Sequence, residues 1–122
     1  MTAPKVMIVD DDRTMVTLLS TLLELDGFTV VQGGLSDQVL ANARALQPDV
    51  VLMDVHLLDA NGLELLREIR ADAELKSLPV VMSSGLDVLY ECQEAGANDF
   101  ILKPYPPDQL AATLKKVLES SH

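Results

Sequence analysis

Three consecutive carboxylates, Asp10, Asp11 and Asp12, follow directly on one apolar run, and a fourth, Asp54, follows directly on another. Brought together, such acids repel and raise one another's pKa unless a cation neutralises them. An all-oxygen set of few carboxylates, with no second histidine or cysteine nearby, suits magnesium, which keeps several waters and is commonly shared with a substrate phosphate. Ser83 and Ser84 end a further apolar run and Lys103 ends the last, adding hydroxyl donors and an ammonium. Phosphoryl transfer spreads negative charge over equatorial oxygens, so metal, ammonium and hydroxyl are the groups it needs around a nucleophile. Asp54 is the candidate nucleophile, and its product would be an acyl phosphate.

These residues can meet only if the runs before them lie side by side. Five short runs, at residues 6–9, 28–31, 50–53, 80–82 and 100–102, are rich in β-branched and large aliphatic residues and read as strands apolar on both faces. Helix-period segments lie between them. In the first, Met15, Leu18, Leu19, Leu22 and Leu23 form the inward stripe, with Asp12 as N-cap and Gly27 as the stop. Ser36 is the expected N-cap of the second, which turns Val39, Leu40, Ala43 and Leu46 inward and ends at Pro48. The third follows Asn61 and Gly62, with Leu63, Leu66 and Ile69 on one face; a short fourth lies between Leu86 and Ala95, stopped by Gly96. The fifth starts near Pro107 and Asp108 and buries Leu110, Leu114, Val117 and Leu118. Strict alternation of strand and helix implies right-handed crossovers and a parallel sheet covered on both faces. The expected fold is α/β, flavodoxin-like, with strand order 2-1-3-4-5, and ligands belong at the carboxyl ends of strands one and three, where the order reverses.

Composition narrows the rest. At 122 residues, 48% hydrophobic and only 3% aromatic, the chain reads as one domain over 1–122 with an aliphatic core. A formal charge of −10 repels a phosphate backbone and offers no basic stripe for nucleic acid or anionic lipid. Charges interrupt every apolar segment before a membrane span could form, and the first is too short for a signal peptide. The single cysteine, Cys92, allows no internal disulfide. A cytoplasmic location is the expectation.

Val9-Asp10-Asp11, Leu52-Met53-Asp54, Asn61-Gly62, Ser84-Gly85 and Lys103-Pro104-Tyr105 resemble, in order and over nearly the whole chain, the signatures of response-regulator receiver domains of two-component signalling. The resemblance implies that Asp54 is the phosphoacceptor. It further implies that Asp10, Asp11, Asp54 and the backbone carbonyl of His56 hold magnesium or manganese, Asp10 through water. Ser84 would hydrogen-bond the phosphoryl group, Lys103 would pair with it, and the Lys103–Pro104 peptide would be cis. Ser84 and Phe100 would form the switch, the ring turning inward as the hydroxyl moves toward phosphate. The implied donor is a histidine kinase or histidine phosphotransfer protein, the reader a downstream protein, with homodimerisation open. Such a domain assists its own phosphorylation and dephosphorylation and is not otherwise an enzyme. The sequence departs from the pattern at three places. Leu58 stands where proline is usual, Phe100 lacks the hydroxyl of the common tyrosine, and only nineteen positions separate Ser84 from Lys103, which shortens the fourth helix by about a turn.

Blander and rival readings stand beside this one. Asp12 alone is a helix cap. The His56 side chain is a loop residue, since the other histidine, His122, sits at the chain's end. Cys92 and the five methionines read as packing, and Tyr90 and Tyr105 as exposed partner contacts. Asp10 to Thr14 also matches the start of haloacid-dehalogenase-like phosphatases, with Asp10 as nucleophile and Asp12 as general acid. That reading leaves Asp54 idle and lacks the late acidic pair such enzymes carry. A phosphorylation-independent interaction module is the other alternative, disfavoured by the intact acids, hydroxyl and lysine.

Overall fold

β-Branched and aliphatic runs that cannot face water form five strands in the computed structural model, which describes residues 3–120. They are β1 (Lys5–Val9), β2 (Thr29–Gln32), β3 (Val50–Asp54), β4 (Val80–Ser84) and β5 (Asp99–Leu102). All pair in parallel in the order β2-β1-β3-β4-β5, as expected. The helices are α1 (Arg13–Leu25), α2 (Val39–Leu46), α3 (Gly62–Ala71), α4 (Leu89–Ala95) and α5 (Pro107–Ser120). No described helix is long and apolar enough to cross a membrane. Met1 and His122 lie outside the described residues.

Strand alternation divides the core in two. Val6, Ile8, Val50, Leu52, Val81 and Ile101 pack with α1 and α5, whereas Met7, Val9, Val51, Met53, Val80 and Met82 pack with α2, α3 and α4. This parity decides which polar residue, one step past a strand's last apolar one, turns to which side of the sheet.

Several element details differ from expectation. In α1 the buried line is Val16, Leu19 and Leu23, while Leu18 is 53% exposed. The helix carries apolar residues over an arc wider than the sheet can cover, so one flank of the expected stripe stays outside. Phe28 is not in β2 but belongs to the end of α1: its N–H donates to the Leu23 carbonyl, and Gly27, at φ +94°, donates to that of Glu24. This double closure, with a buried apolar residue after the glycine, needs a left-handed residue at position 27. Ser36 does not cap α2. It opens a 3-10 turn over Ser36–Gln38, and its hydroxyl donates to Asp59 in the connection between β3 and α3. In α3 Leu65 joins Leu66 and Ile69 in the core while Leu63 is only half-buried. Helix α4 begins at Leu89, not Leu86: Val88 is its N-cap, and the turn before it is held by the Leu86 N–H donating to the Ser84 hydroxyl at 3.0 Å.

Arg70, unremarkable in the sequence, ties two connections together, α3 to β4 and α4 to β5. Its guanidinium donates to the carbonyls of Leu78 (2.7 Å), Gly96 (2.9 Å) and Lys76 (3.2 Å) and to Asn98 Oδ1 (2.9 Å), which also accepts the N–H of Val80. The amino ends of β4 and β5, the strands that lead to Ser84 and Lys103, are thus tied together by one side chain.

Cys92 is fully buried in the α4 packing, and burial pushes its thiol up to about 11 from an ordinary 9.0. Native protein is therefore expected to resist iodoacetamide at mildly alkaline pH, with rapid labelling only after denaturation, as read by mass. The folded state holds this proton more tightly than the unfolded state. Its contribution to stability is complete below about pH 9 and is lost as pH rises toward about 11. Denaturant melts of wild type and Cys92→Ala across that window should converge.

Candidate functional site

Asp10 extends the Val6, Ile8 parity of β1, Asp54 the Val50, Leu52 parity of β3, and Lys103 the Ile101 parity of β5. All three side chains therefore turn to the α1 and α5 side at the carboxyl edge of the sheet. There they meet. Lys103 Nζ lies 2.9 Å from Asp54 Oδ2 and 3.3 Å from Asp10 Oδ2, with the three side chains 23%, 13% and 8% exposed. Burial works against the Lys103 charge. The hydrogen bond to Asp54 and the charges of both acids outweigh it and hold the pKa above the ordinary lysine value. Two carboxylates against one ammonium leave the trio with negative charge in excess, in a place only partly reached by water.

The remaining oxygens are also engaged. Asp54 Oδ1 accepts the His56 N–H at 3.1 Å, and Asp10 Oδ1 accepts the Asp12 N–H at 2.9 Å. Asp12 caps α1, accepting from Met15 N at 3.1 Å, so its expected structural role is the one observed. Asp11 stands apart from the trio: its exposed carboxylate accepts the N–H of Leu58. His56 pairs through its backbone with Asn61, and the residue is exposed. Leu58 thus supplies a donor at the very position where the resemblance leads one to expect proline, which has none.

Register settles how the two serines differ. Ser83 pairs with Asp54, while Ser84 lies one step nearer the edge and has the parity of Val80 and Met82, on the α3 and α4 side. Phe100, half-buried, packs against that same side. Ser84 is fully buried, its hydroxyl oxygen accepts from Leu86 N–H, and its parity turns it to the side of the sheet opposite the ion-paired trio. The Lys103–Pro104 peptide is cis. Tyr90 is exposed as expected. Tyr105 is not: it packs against the α1 and α5 side of the core, its hydroxyl buried without a hydrogen-bond partner among the described residues, and burial raises its pKa.

Gly62 was legible as the first residue of a helix after Asn61, whose side chain accepts from Leu63 N at 2.8 Å. Its closeness to the acceptor strand was not. A Cβ at 62 would stand 2.2 Å from the Asp54 carbonyl oxygen and 2.9 Å from Val55 Cα, both backbone atoms. The Gly62 N–H also donates to Val55 O at 2.7 Å, so α3 starts in contact with the chain that presents Asp54. Gly62→Ala is expected to destabilise the fold by about 1–3 kcal/mol, as overpacking does. Urea melts with phosphoryl-labelling measurements should show stability and acceptor function falling together.

The chemistry of the donor set fits a hard divalent cation. Asp10, Asp11, Asp54 and the His56 carbonyl all lie at one edge and offer only oxygen, beside an excess of negative charge. Magnesium needs no more than one or two carboxylates, since it retains waters and shares phosphate oxygens.

Comparison with known proteins agrees with the fold. Residues 6–115 match the model of the response regulator receiver domain. The DNA-binding response regulator MtrA of Mycolicibacterium paratuberculosis is 35% identical over 115 residues, which are 91% of this chain and 49% of that protein. The chain spans about half the length of the curated relatives it matches. Among solved structures, the chemotaxis response regulator CheY4 of Vibrio cholerae superposes with a TM-score of 0.87 at 28% identity, covering 95% of this chain and 99% of that one. A CheY-like receiver domain protein from Methanospirillum hungatei gives 0.88 at 26% identity, covering 98% and 97%. With the fold, the strand-end residues and these matches in agreement, the chain belongs to the response regulator receiver domain family.

Proposed function

We propose that Asp54 accepts a phosphoryl group from the phosphohistidine of a kinase or phosphotransfer protein. The observation that carries this reading is the partly buried Lys103 ammonium held between Asp54 and Asp10. It places a fixed positive charge where phosphoryl oxygens would arrive and keeps the carboxylate oriented before any donor docks. An Asp54 oxygen attacks phosphorus as the bond to the donor imidazole breaks, and Lys103 passes from the carboxylate to the new phosphoryl oxygens. Asp10, Asp11, Asp54 and the His56 carbonyl would hold the divalent cation, magnesium or manganese. When bound, it neutralises charge on the phosphoryl oxygens. Asp12 is left to its cap.

Ser84 is the residue that converts this event into a shape change. Its hydroxyl oxygen accepts from Leu86 N–H while its O–H stays free to donate, so movement of Ser84 toward a phosphoryl oxygen would pull on the segment ahead of α4 and open room on the side where Phe100 packs. A downstream protein, or a second copy of the chain, would read that surface. Slow hydrolysis of the acyl phosphate by the same residues would reset it. A cytoplasmic setting suits the free, buried Cys92 and the phosphohistidine donor.

The test is incubation with magnesium and acetyl phosphate, read by intact-protein mass. One base-labile, acid-stable phosphoryl group is expected, absent when a chelator is added. A wild-type protein that gains no mass under these conditions is not a phosphoacceptor.

A further inference from the structure

The loop between β3 and α3 carries Leu58, whose residue is 91% exposed. Burial therefore does not explain a leucine here, and the structural contribution of this position is its backbone. The Leu58 N–H donates to the Asp11 carboxylate. The acids of the edge are thereby divided: Asp10 and Asp54 turn to Lys103, while Asp11 turns to the loop. Among the described residues, no three acidic, histidine or cysteine side chains are gathered closely enough to hold a metal ion. An N–H donating to a carboxylate makes a charge-assisted bond, roughly twice as strong as a neutral one.

We infer that the Leu58 N–H is a latch on Asp11. A divalent cation at the edge recruits Asp11 only by drawing its carboxylate away from Leu58, so cation binding and release of the β3–α3 loop are one event. The inference rests on reading the edge as a cation-assisted phosphoacceptor. It adds a cost that lowers apparent cation affinity, because the binding arrangement is a minor population while the latch is closed. The release has a defined reach. The Gly62 N–H to Val55 O bond anchors the loop's base, whereas Asp59, next to Leu58, accepts from the Ser36 hydroxyl at 2.9 Å. Movement of residues 58–59 is therefore passed to the 3-10 turn ahead of α2, on the opposite flank of the site from Ser84 and Phe100.

The experiment follows backbone amides by nuclear magnetic resonance while magnesium chloride is added to the wild-type chain. The Leu58 amide proton is expected downfield in the metal-free protein and should move upfield on saturation, with the Ser36 and Asp59 amides shifting at the same midpoint. Calorimetric magnesium titration supplies a second arm: Leu58→Pro, which has no N–H, should bind about tenfold more tightly than wild type, and Leu58→Ala, which keeps the donor, should match wild type. A Leu58 amide unmoved at saturation, or a proline variant no tighter than the alanine variant, overturns the latch alone. If Leu58→Pro does not fold, the wild-type amide titration decides. No saturable magnesium binding in wild type overturns the cation reading of the edge together with the latch.

Discussion

Asp54→Ala is expected to reduce phosphoryl acceptance from acetyl phosphate to background while leaving the fold intact. The carboxylate removed is the proposed nucleophile, and no neighbouring group can replace it in place: Asp10 is held through both oxygens by Lys103 and Asp12 N–H, and Asp11 is turned to Leu58. Stability should change little, within about 1 kcal/mol, because the lost ion pair is offset by relief of repulsion between Asp54 and Asp10, and Lys103 keeps Asp10 as partner. Magnesium affinity should fall by about tenfold or more with the loss of a carboxylate from so small a set. Intact mass, a urea melt and a calorimetric titration of one preparation check the three statements. Persistent mass gain in this variant would move the nucleophile to Asp10 and revive the phosphatase-like reading of residues 10 to 14. Asp54→Asn, of the same shape, should behave alike.

Lys103→Met produces the more diagnostic result, because two readouts should move in opposite directions. Methionine keeps most of the length and apolar stem of lysine and loses the ammonium. Removing one preorganised charge at a group-transfer site costs about 10²–10³ in rate, so labelling by acetyl phosphate should slow by that factor. The same ammonium repels any cation beside Asp54. Unit charges about 4 Å apart interact by about 4 kcal/mol at an effective dielectric of about 20, and relaxation reduces this to roughly 1–2 kcal/mol. Magnesium should therefore bind the variant about tenfold more tightly than it binds wild type. Without metal, the variant leaves Asp10 and Asp54 facing each other with no cation between them, and should melt earlier than wild type. Added magnesium should restore it by mass action. Labelling and metal affinity that fall together would mean that Lys103 acts through the fold and not through its charge.

Both predictions depend on residues that are legible in the amino-acid sequence, and the reason is local. A polar residue directly after an apolar run in a strictly alternating β/α chain must fall at the sheet's carboxyl edge, and Asp10, Asp54, Ser84 and Lys103 all do. Helix and strand identities are equally local, set by period and by caps such as Asp12 and Asn61. Boundaries are less so. Leu89 rather than Leu86 starts α4, after a turn in which the Ser84 hydroxyl accepts the Leu86 N–H, and Phe28 closes α1 instead of opening β2 because Gly27 turns the chain. Each of those outcomes is set by hydrogen bonds within a few residues of the turn, which composition alone does not decide.

What the sequence by itself determined was the alternation of strands and helices and the inventory of the sheet's carboxyl edge, since both follow from where apolar runs stop. The order 2-1-3-4-5 is the leading choice for five such units and is fixed by the strand pairings. Tertiary structure alone decided how that inventory is divided. Lys103 is shared by Asp10 and Asp54 but not Asp11, because strand parity sends the first three to one side while a loop N–H holds the fourth. Ser84 shares its side with Phe100 and not with Asp54, because β3 and β4 pair Asp54 with Ser83. Gly62 touches Asp54, and Arg70 fastens the loops around β4 and α4, through approaches between segments far apart in the chain. Register, side-chain direction and close approach are properties of pairs of segments, and a single run of residues carries no record of its partner.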